Sequence, residues 1–450
     1  LIQAARAAAE NREVVTFDVG QAFLNAQLET TDREHIVLRL SAPVADILVN
    51  LDCSYKQYMC KDGTLLVKLK KALYGLRQAP RVWFDTIRGF LLHHGFHQSK
   101  LDDCFFWKQY PDGTSIDLAI HVDDGIVTTD TMPRLESLLV ALQDKFRIIK
   151  TTRGLTHEYL SMVFVFDRTF RRVKISMPKY TKRILDEYPL EHYKTVPTPH
   201  DKDLFKIGKC QELSKEDQQL FHSTVMRILF YASRVRPDIL VVVNFLTTRT
   251  RFGTATTEDK RKLIRLLNFI YTTKTDGIVL GGDSDGQLRI RAYADASYGV
   301  HIDGKSHTGN VITLGQGPIY CKSSKQKSVT KSSCEAEILA LSDISSTVVW
   351  LKDFLHEIGV VMKPPILFED NKAAIFLVTN GPSTAGRVRH VHIRNAFVNQ
   401  FITSGSMRII FCPTSQMIAD ILTKPLSPPI YNTLRKLLLG YKIHVFPEQG

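Results

Sequence analysis

The chain has 450 residues, with 59 Lys and Arg against 46 Asp and Glu, a formal net charge of +13. That length exceeds one ordinary domain, and 44% hydrophobic with 23% charged residues supplies buried cores, which excludes intrinsic disorder, collagen-like and low-complexity classes. The excess positive charge fits a nucleic-acid partner as well as it fits a solvated surface.

The longest apolar run, Ile239 to Leu246, contains Asn244 and falls far short of the roughly 20 residues that span a bilayer, so no membrane partner is expected. The sequence opens Leu1-Ile2-Gln3, without an initiator Met or the apolar core of a secretion signal. An intracellular, non-secreted piece of a longer protein is therefore expected. Cys53, Cys60, Cys104, Cys210, Cys321, Cys334 and Cys412 are odd in number and form no CxxC, which argues against a disulfide framework or a zinc site.

In chain order, Val14-Val15-Thr16-Phe17 is a β-prone run that delivers Asp18 to its end, and Ala22-Phe23-Leu24 follows a Gly-containing bend. Aromatic and basic residues mix from Lys68 to Phe84, which suits a surface offering phosphate contacts and stacking planes; an amphipathic helix with a cationic face is the other reading. Ile116, Leu118, Ile120 and Val122 alternate as a half-buried strand, and Asp123-Asp124-Gly125 predicts a hairpin turn at Asp-Gly into Ile126-Val127. Adjacent carboxylates on an apolar hairpin repel unless a cation neutralises them. Phosphoryl transfer requires oxygen ligands that hold two Mg²⁺ close together, and Asp18 is a candidate third acid for such a site.

Val196-Pro197-Thr198-Pro199 interrupts regular structure and places a domain boundary near residue 200. Helical spacing in Val225, Ile228, Leu229, Ala232 and again in Leu263, Leu266, Leu267, Ile270 predicts a connecting block of helices, broken at Gly281-Gly282-Asp283. Beyond it, Leu288, Ile290, Ala292 and Ala294 alternate, which puts Asp295 on the opposite strand face with Arg291 and Tyr293, outside the core. Ser332-Ser333-Cys334-Glu335 is a capping box opening a helix from about Cys334 to Ile358. Glu335 thus has a structural task and Glu337 is left as the candidate ligand. Asp370 ends the strand Ile366-Leu367-Phe368, and Asp420 rides a short helix with Met417, Ile418, Ile421 and Leu422. Taken singly, each of these acids reads more readily as a solvated surface group than as a ligand.

Seven stretches carry a resemblance: Phe17-Asp18-Val19-Gly20-Gln21-Ala22-Phe23-Leu24-Asn25, Lys71-Ala72-Leu73-Tyr74-Gly75-Leu76-Arg77-Gln78-Ala79-Pro80-Arg81-Val82-Trp83, His121-Val122-Asp123-Asp124, Arg236-Pro237-Asp238-Ile239, Ala292-Tyr293-Ala294-Asp295-Ala296, Ser332-Ser333-Cys334-Glu335-Ala336-Glu337 and Ala419-Asp420-Ile421-Leu422-Thr423-Lys424-Pro425-Leu426. Together, and in order, they resemble the reverse transcriptase and RNase H region of copia-type (pseudoviral) LTR retrotransposon polyproteins. The resemblance implies an α/β (α+β) multidomain fold, a right-hand polymerase palm and thumb with truncated fingers followed by an RNase H-like domain. Expected bounds are 1–200 for the palm and partial fingers, 201–283 for the helical thumb and connection, 284–426 for the RNase H-like domain and 427–450 for a tail. It implies Asp18, Asp123 and Asp124 as metal ligands of the polymerase site, and Asp295, Glu337, Asp370 and Asp420 as those of the hybrid-cleaving site, with two Mg²⁺ at each and Mn²⁺ as a substitute. Phe23 takes the role of the gate that excludes a 2′-hydroxyl, and Gln78 and Arg81 those of residues lining nucleotide and template. His390, in Arg387-Val388-Arg389-His390-Val391-His392, is a candidate auxiliary for product release or proton transfer, with a basic surface loop as the other reading.

Implied partners are an RNA template, a DNA primer, deoxynucleoside triphosphates, RNA–DNA hybrid and the capsid, protease and integrase parts of a polyprotein, in a cytoplasmic virus-like particle with a nuclear phase. Three residues depart from the pattern. His121 stands for Tyr, Gly125 for an apolar residue, which loosens the turn, and His392 for Asp. Only Leu1 to Phe17 precede Asp18, so upstream finger strands are expected to be missing. A noncatalytic nucleic-acid-binding remnant is the alternative expectation.

Overall fold

The computed structural model describes residues 1–28, 36–147, 149–188, 190–208, 210–251, 253–381 and 389–442, with the side chains of residues 389 and 390 outside that description. The chain divides into two compact units, Val15–Thr152 and Leu1–Val14 with Arg153–Gly450, and the strand Glu13–Val19 crosses the cut.

The Val15–Thr152 unit is built on a six-stranded sheet in the order His97–Gln98, Phe105–Gln109, Ser115–His121, Asp124–Thr129, Glu13–Val19, Ile149–Thr152. Apolar residues on one helix face, Ala79, Trp83, Ile87, Phe90 and Leu91, follow a three- and four-residue spacing, and the helix Ala79–His93 buries them with Phe17, Leu118 and Val127 of the sheet. Pro80 lies in the first turn of that helix, where its missing N–H has no intrahelical partner to lose. The helix Met132–Phe146 contributes Leu135, Leu138, Leu142 and Phe146 to the same core. A two-stranded ribbon pairs Val37–Leu40 with Leu65–Lys68.

The second unit contains two sheets. A four-stranded antiparallel sheet runs Ile278–Gly281, Arg172–Ser176, Met162–Asp167, Thr156–Tyr159. Its edge strand Ile278–Gly281, fully buried, is legible in sequence only as the residues before a break. The anticipated helical block is present as Lys215–Val235, Leu240–Thr247 and Thr257–Thr272. The motif Arg236-Pro237-Asp238-Ile239 turns the chain between the first two of these. Arg236 binds Asp238 through two 2.8 Å hydrogen bonds, both side chains are fully buried, and Arg435 adds a third bond to Asp238 at 2.7 Å. Burial pushes the Asp238 carboxyl up, but Arg236 and Arg435 outweigh it and hold it down at about 2. This motif is therefore a structural interlock, closed by the Tyr431 hydroxyl donating to the Asp238 carbonyl at 3.0 Å.

The second sheet is mixed, in the order Pro318–Lys325, His307–Leu314, Ile290–Ser297, Ile366–Glu369, Arg408–Phe411. The first three strands are antiparallel, and the last two join in parallel. The helix Ser333–Glu357 begins with half of the expected capping box: Ser332 caps it by accepting from the Glu335 N–H, while the Glu335 carboxylate reaches one residue further back and accepts from the Lys331 N–H at 2.8 Å. The mixed α+β multidomain class expected from the sequence is the one adopted. The helix Pro428–Leu438 buries Tyr431, Leu434 and Leu438.

Candidate active sites

In the first unit, Asp18 is half-buried near the end of Glu13–Val19, and the next residue, Val19, donates its N–H to the Asp123 carbonyl at 2.9 Å. That bond ties the Asp18 strand to the tip of the hairpin. The hairpin turn differs from the expected Asp-Gly turn: His121 pairs with Asp124, so the loop is Val122-Asp123 and both Asp124 and Gly125 belong to the return strand. Val122 sits at φ 58°, a left-handed conformation that a β-branched residue adopts only at a cost of order 1–3 kcal/mol. The buried Trp83 holds it there, its indole N–H donating to the Val122 carbonyl at 2.6 Å. Nor does Gly125 loosen the turn. The Phe17 ring fills the space a Cβ at Gly125 would need, so the missing side chain permits close packing of the two central strands. Loss of water on burial raises the Asp124 pKa, and the charges of Asp123 and Asp18 raise it further, against a lowering by His121. The three acids therefore share one electrostatic field.

Phe23 lies on the single 3₁₀ turn Ala22–Asn25, entered through Gln21 at φ 55°. Its half-buried ring packs against Tyr74 with centroids 4.7 Å apart and planes at 53°. Gln78 occupies the N-cap position of the helix Ala79–His93, and Arg81, paired with Asp85 at 2.9 Å, is exposed on its first turn.

In the second unit, Asp295 is only 1% exposed, which corrects the expectation that it lies outside the core. Alternation placed it correctly on the face away from Ala294, but the short helix Ile418–Leu422 covers that face. Gly309 stands opposite Asp295 in register, and a Cβ there would collide with Thr423, the Ala419 carbonyl and Leu422. Carboxylate oxygens of Asp295, Glu337 and Asp370 all lie within 4.8 Å of one another, the one such three-acid group among the described residues. Asp420 falls outside it and pairs instead with Lys424, whose ammonium is 2.9 Å from Asp420 Oδ1 and 3.4 Å from Asp295 Oδ1. The sequence reading missed Glu369, which is fully buried beside Asp370, accepts from the Asn371 N–H at 3.0 Å and leaves Oε2 without a hydrogen bond. Its one sequence signal is its place before Asp370 on a buried strand.

Burial raises the Glu337 pKa strongly, reinforced by Glu369, Asp295 and Asp370, and raises that of Asp370, reinforced by Asp295. Asp420 is pushed up to about 7 by burial and then by Asp295, against the lowering effect of Lys424. So much mutual repulsion at one place, with Glu337 Oε2 lacking any hydrogen bond, is what an all-oxygen site for a hard divalent cation offers. The residues present thus fit Mg²⁺ or Mn²⁺. His392 is half-buried on the helix Arg389–Thr403, and the side chain of His390 lies outside the described residues.

Residues 1–202 match the reverse transcriptase (RNA-dependent DNA polymerase) family. The chain carries a reverse transcriptase domain. Its relatives along nearly the whole chain are retrotransposon Pol polyproteins. It is 29% identical over 426 residues to the retrovirus-related Pol polyprotein from transposon TNT 1-94 of Nicotiana tabacum, covering 93% of this chain and 30% of the relative. It is 32% identical over 415 residues to that from transposon RE1 of Arabidopsis thaliana, covering 91% and 26%. The chain therefore spans between a quarter and a third of the length of these relatives. A solved foamy viral protease-reverse transcriptase in complex with RNA/DNA hybrid shares its fold, with a TM-score of 0.51 at 11% identity, over 89% of this chain and 44% of the other.

Proposed function

We propose that the chain is the RNA-directed DNA polymerase and ribonuclease H portion of a copia-type retrotransposon polyprotein. Residues 1–200 serve as palm and partial fingers, 201–283 as thumb and connection, 284–426 as the hybrid-cleaving domain and 427–450 as a tail. The observation that carries this reading is the pairing of two acid constellations on one chain, one at a hairpin tip within the reverse transcriptase match and one in the second, mixed sheet.

At the first site Asp18, Asp123 and Asp124 hold the divalent ions. Bound Mg²⁺ supplies the charge that stabilises the attacking and leaving oxygens of an in-line displacement. The primer 3′-hydroxyl attacks the α-phosphorus of a deoxynucleoside triphosphate, the new O–P bond forms, and the bond to the β-phosphate breaks as pyrophosphate leaves. The Phe23 ring, braced by Tyr74, occupies the space a 2′-hydroxyl needs, so ribonucleotides are rejected by collision. Exposed Gln78 and Arg81 offer donors to nucleotide and template. At the second site Asp295, Glu337, Asp370 and Asp420 would hold divalent ions and orient a water that attacks phosphorus in the RNA strand of a hybrid. The new O–P bond forms, the P–O3′ bond breaks, and the leaving 3′-oxygen takes up a proton to give a 3′-hydroxyl and a 5′-phosphate, with His390 assisting product release. Template RNA, primer, hybrid and the capsid, protease and integrase parts are the partners, and a cytoplasmic virus-like particle with a nuclear phase is the setting.

The test is primer extension on an RNA template with deoxynucleotides and Mg²⁺, beside hybrid cleavage. Asp123→Asn/Asp124→Asn is expected to abolish extension and spare cleavage, whereas Asp295→Asn is expected to do the reverse. Extension that survives in the first variant, or cleavage that survives in the second, refutes the corresponding assignment.

A further inference from the structure

The segment Ala419-Asp420-Ile421-Leu422-Thr423-Lys424 brings more to the acid cluster than Asp420. Lys424 Nζ lies 2.9 Å from Asp420 Oδ1 and 3.4 Å from Asp295 Oδ1, with about a third of its side chain exposed. The Thr423 hydroxyl donates to Asp295 Oδ2. Both Asp295 oxygens are thus engaged by one segment, while Glu337 Oε2 has no partner. Of the four acids expected to act together, the one outside the close group of Asp295, Glu337 and Asp370 is the one that Lys424 holds. An ammonium and a divalent cation are drawn to the same carboxylate oxygens and repel each other, so they compete for them.

We propose that Lys424 is an internal counter-cation of this cluster, holding Asp420 and one Asp295 oxygen until a divalent cation displaces it, and thereby setting the metal affinity of the site. The inference rests on reading the cluster as a nuclease metal site. Lys424 is on this account a positioning residue. Its removal has a sign that separates it from a merely orienting group. Loss of an orienting neighbour weakens metal binding by about 10- to 100-fold, whereas loss of a competing cation strengthens it.

The experiment is calorimetric titration of Mg²⁺, and of Mn²⁺ as a second probe, into the full chain carrying Asp123→Asn/Asp124→Asn, so that the polymerase site is silent. Adding Lys424→Gln is expected to tighten binding by about 10-fold or more, and Lys424→Arg, which keeps the charge, to bind like the parent. Unchanged or weaker binding with Lys424→Gln overturns the proposal while leaving the metal site in place. Absence of any titration that Asp295→Asn removes overturns the metal-site reading, and this inference falls with it. A second measurement needs no Lys424 variant: amine labelling of the parent chain, read by mass spectrometry. Mg²⁺ is expected to accelerate modification of Lys424, and labelling that is unchanged or slowed overturns the displacement.

Discussion

Replacing Trp83 with Phe removes the indole donor that holds the Val122 carbonyl while keeping an aromatic ring in the core. The lost hydrogen bond is worth about 1 kcal/mol. Trimming the indole, 1% exposed, adds on the order of 1–2 kcal/mol, since full truncation of a buried aromatic costs about 3–5 kcal/mol. A global loss of about 2–3 kcal/mol is expected. The functional loss follows from Val122 at φ 58°: without the clamp, the left-handed turn relaxes toward ordinary backbone and carries Asp123 and Asp124 with it. If about 1–2 kcal/mol of turn preorganisation disappears, kcat for primer extension falls by roughly 5- to 30-fold at little change in KM. The assay is steady-state extension per folded molecule, with the folded fraction fixed by denaturant titration. Val122→Gly supplies the control, because Gly adopts positive φ freely and needs no clamp. Trp83→Phe is expected to cost less in that background than in the parent. Wild-type kcat in Trp83→Phe, or an equal loss in both backgrounds, refutes the clamp.

Two further outcomes concern stability. Asp238→Asn leaves Arg236, fully buried, and Arg435 without their shared counter-charge, and a loss of about 3–5 kcal/mol in the second unit is expected by denaturant unfolding; a loss under about 1 kcal/mol contradicts the interlock. Acid sensitivity is expected from a buried pair, His301 Nε2 and His307 Nδ1, 3.0 Å apart, with His307 bonded onward to Ser323 at 2.8 Å. Burial lowers His301 to about 4, helped by Lys325 and opposed by Asp303, and lowers His307 to about 3, helped by His301. A base whose folded pKa is depressed adds stability that is present above its unfolded value near 6.5 and is lost as pH falls through the folded value. Melting temperature is therefore expected to drop from pH 6.5 toward 4, less steeply in His307→Gln. A parallel slope in that variant removes these histidines as the cause.

The order of the chemistry is a property of the sequence. Asp18 at the end of a β-prone run, Glu337 one turn inside a Ser-capped helix and Asp370 at a strand end are local patterns that backbone preference placed on their elements, and the pair Asp123-Asp124 was placed on its hairpin though not at the right position of the turn. The helices between residues 215 and 272 are legible for the same reason, since a 3.6-residue period survives without knowledge of partners. What only tertiary structure decided was which faces are covered and which acids meet. Asp295 is buried because Ile418–Leu422, more than a hundred residues later, lies against Gly309 on the neighbouring strand, a close approach no period reports. Glu369, fully buried beside Asp370, adds its charge to Glu337 from outside the close group, and Asp420, also outside it, lies 2.9 Å from the Lys424 ammonium four residues on. The hairpin turn fell at Val122-Asp123 because strand register is set by pairing across the sheet and by the distant Trp83 donor, which outweigh the intrinsic turn preference of Asp-Gly. Periodicity specifies a direction for each side chain, but the energy of a carboxylate depends on water, charge and hydrogen bonds brought to it by residues far along the chain.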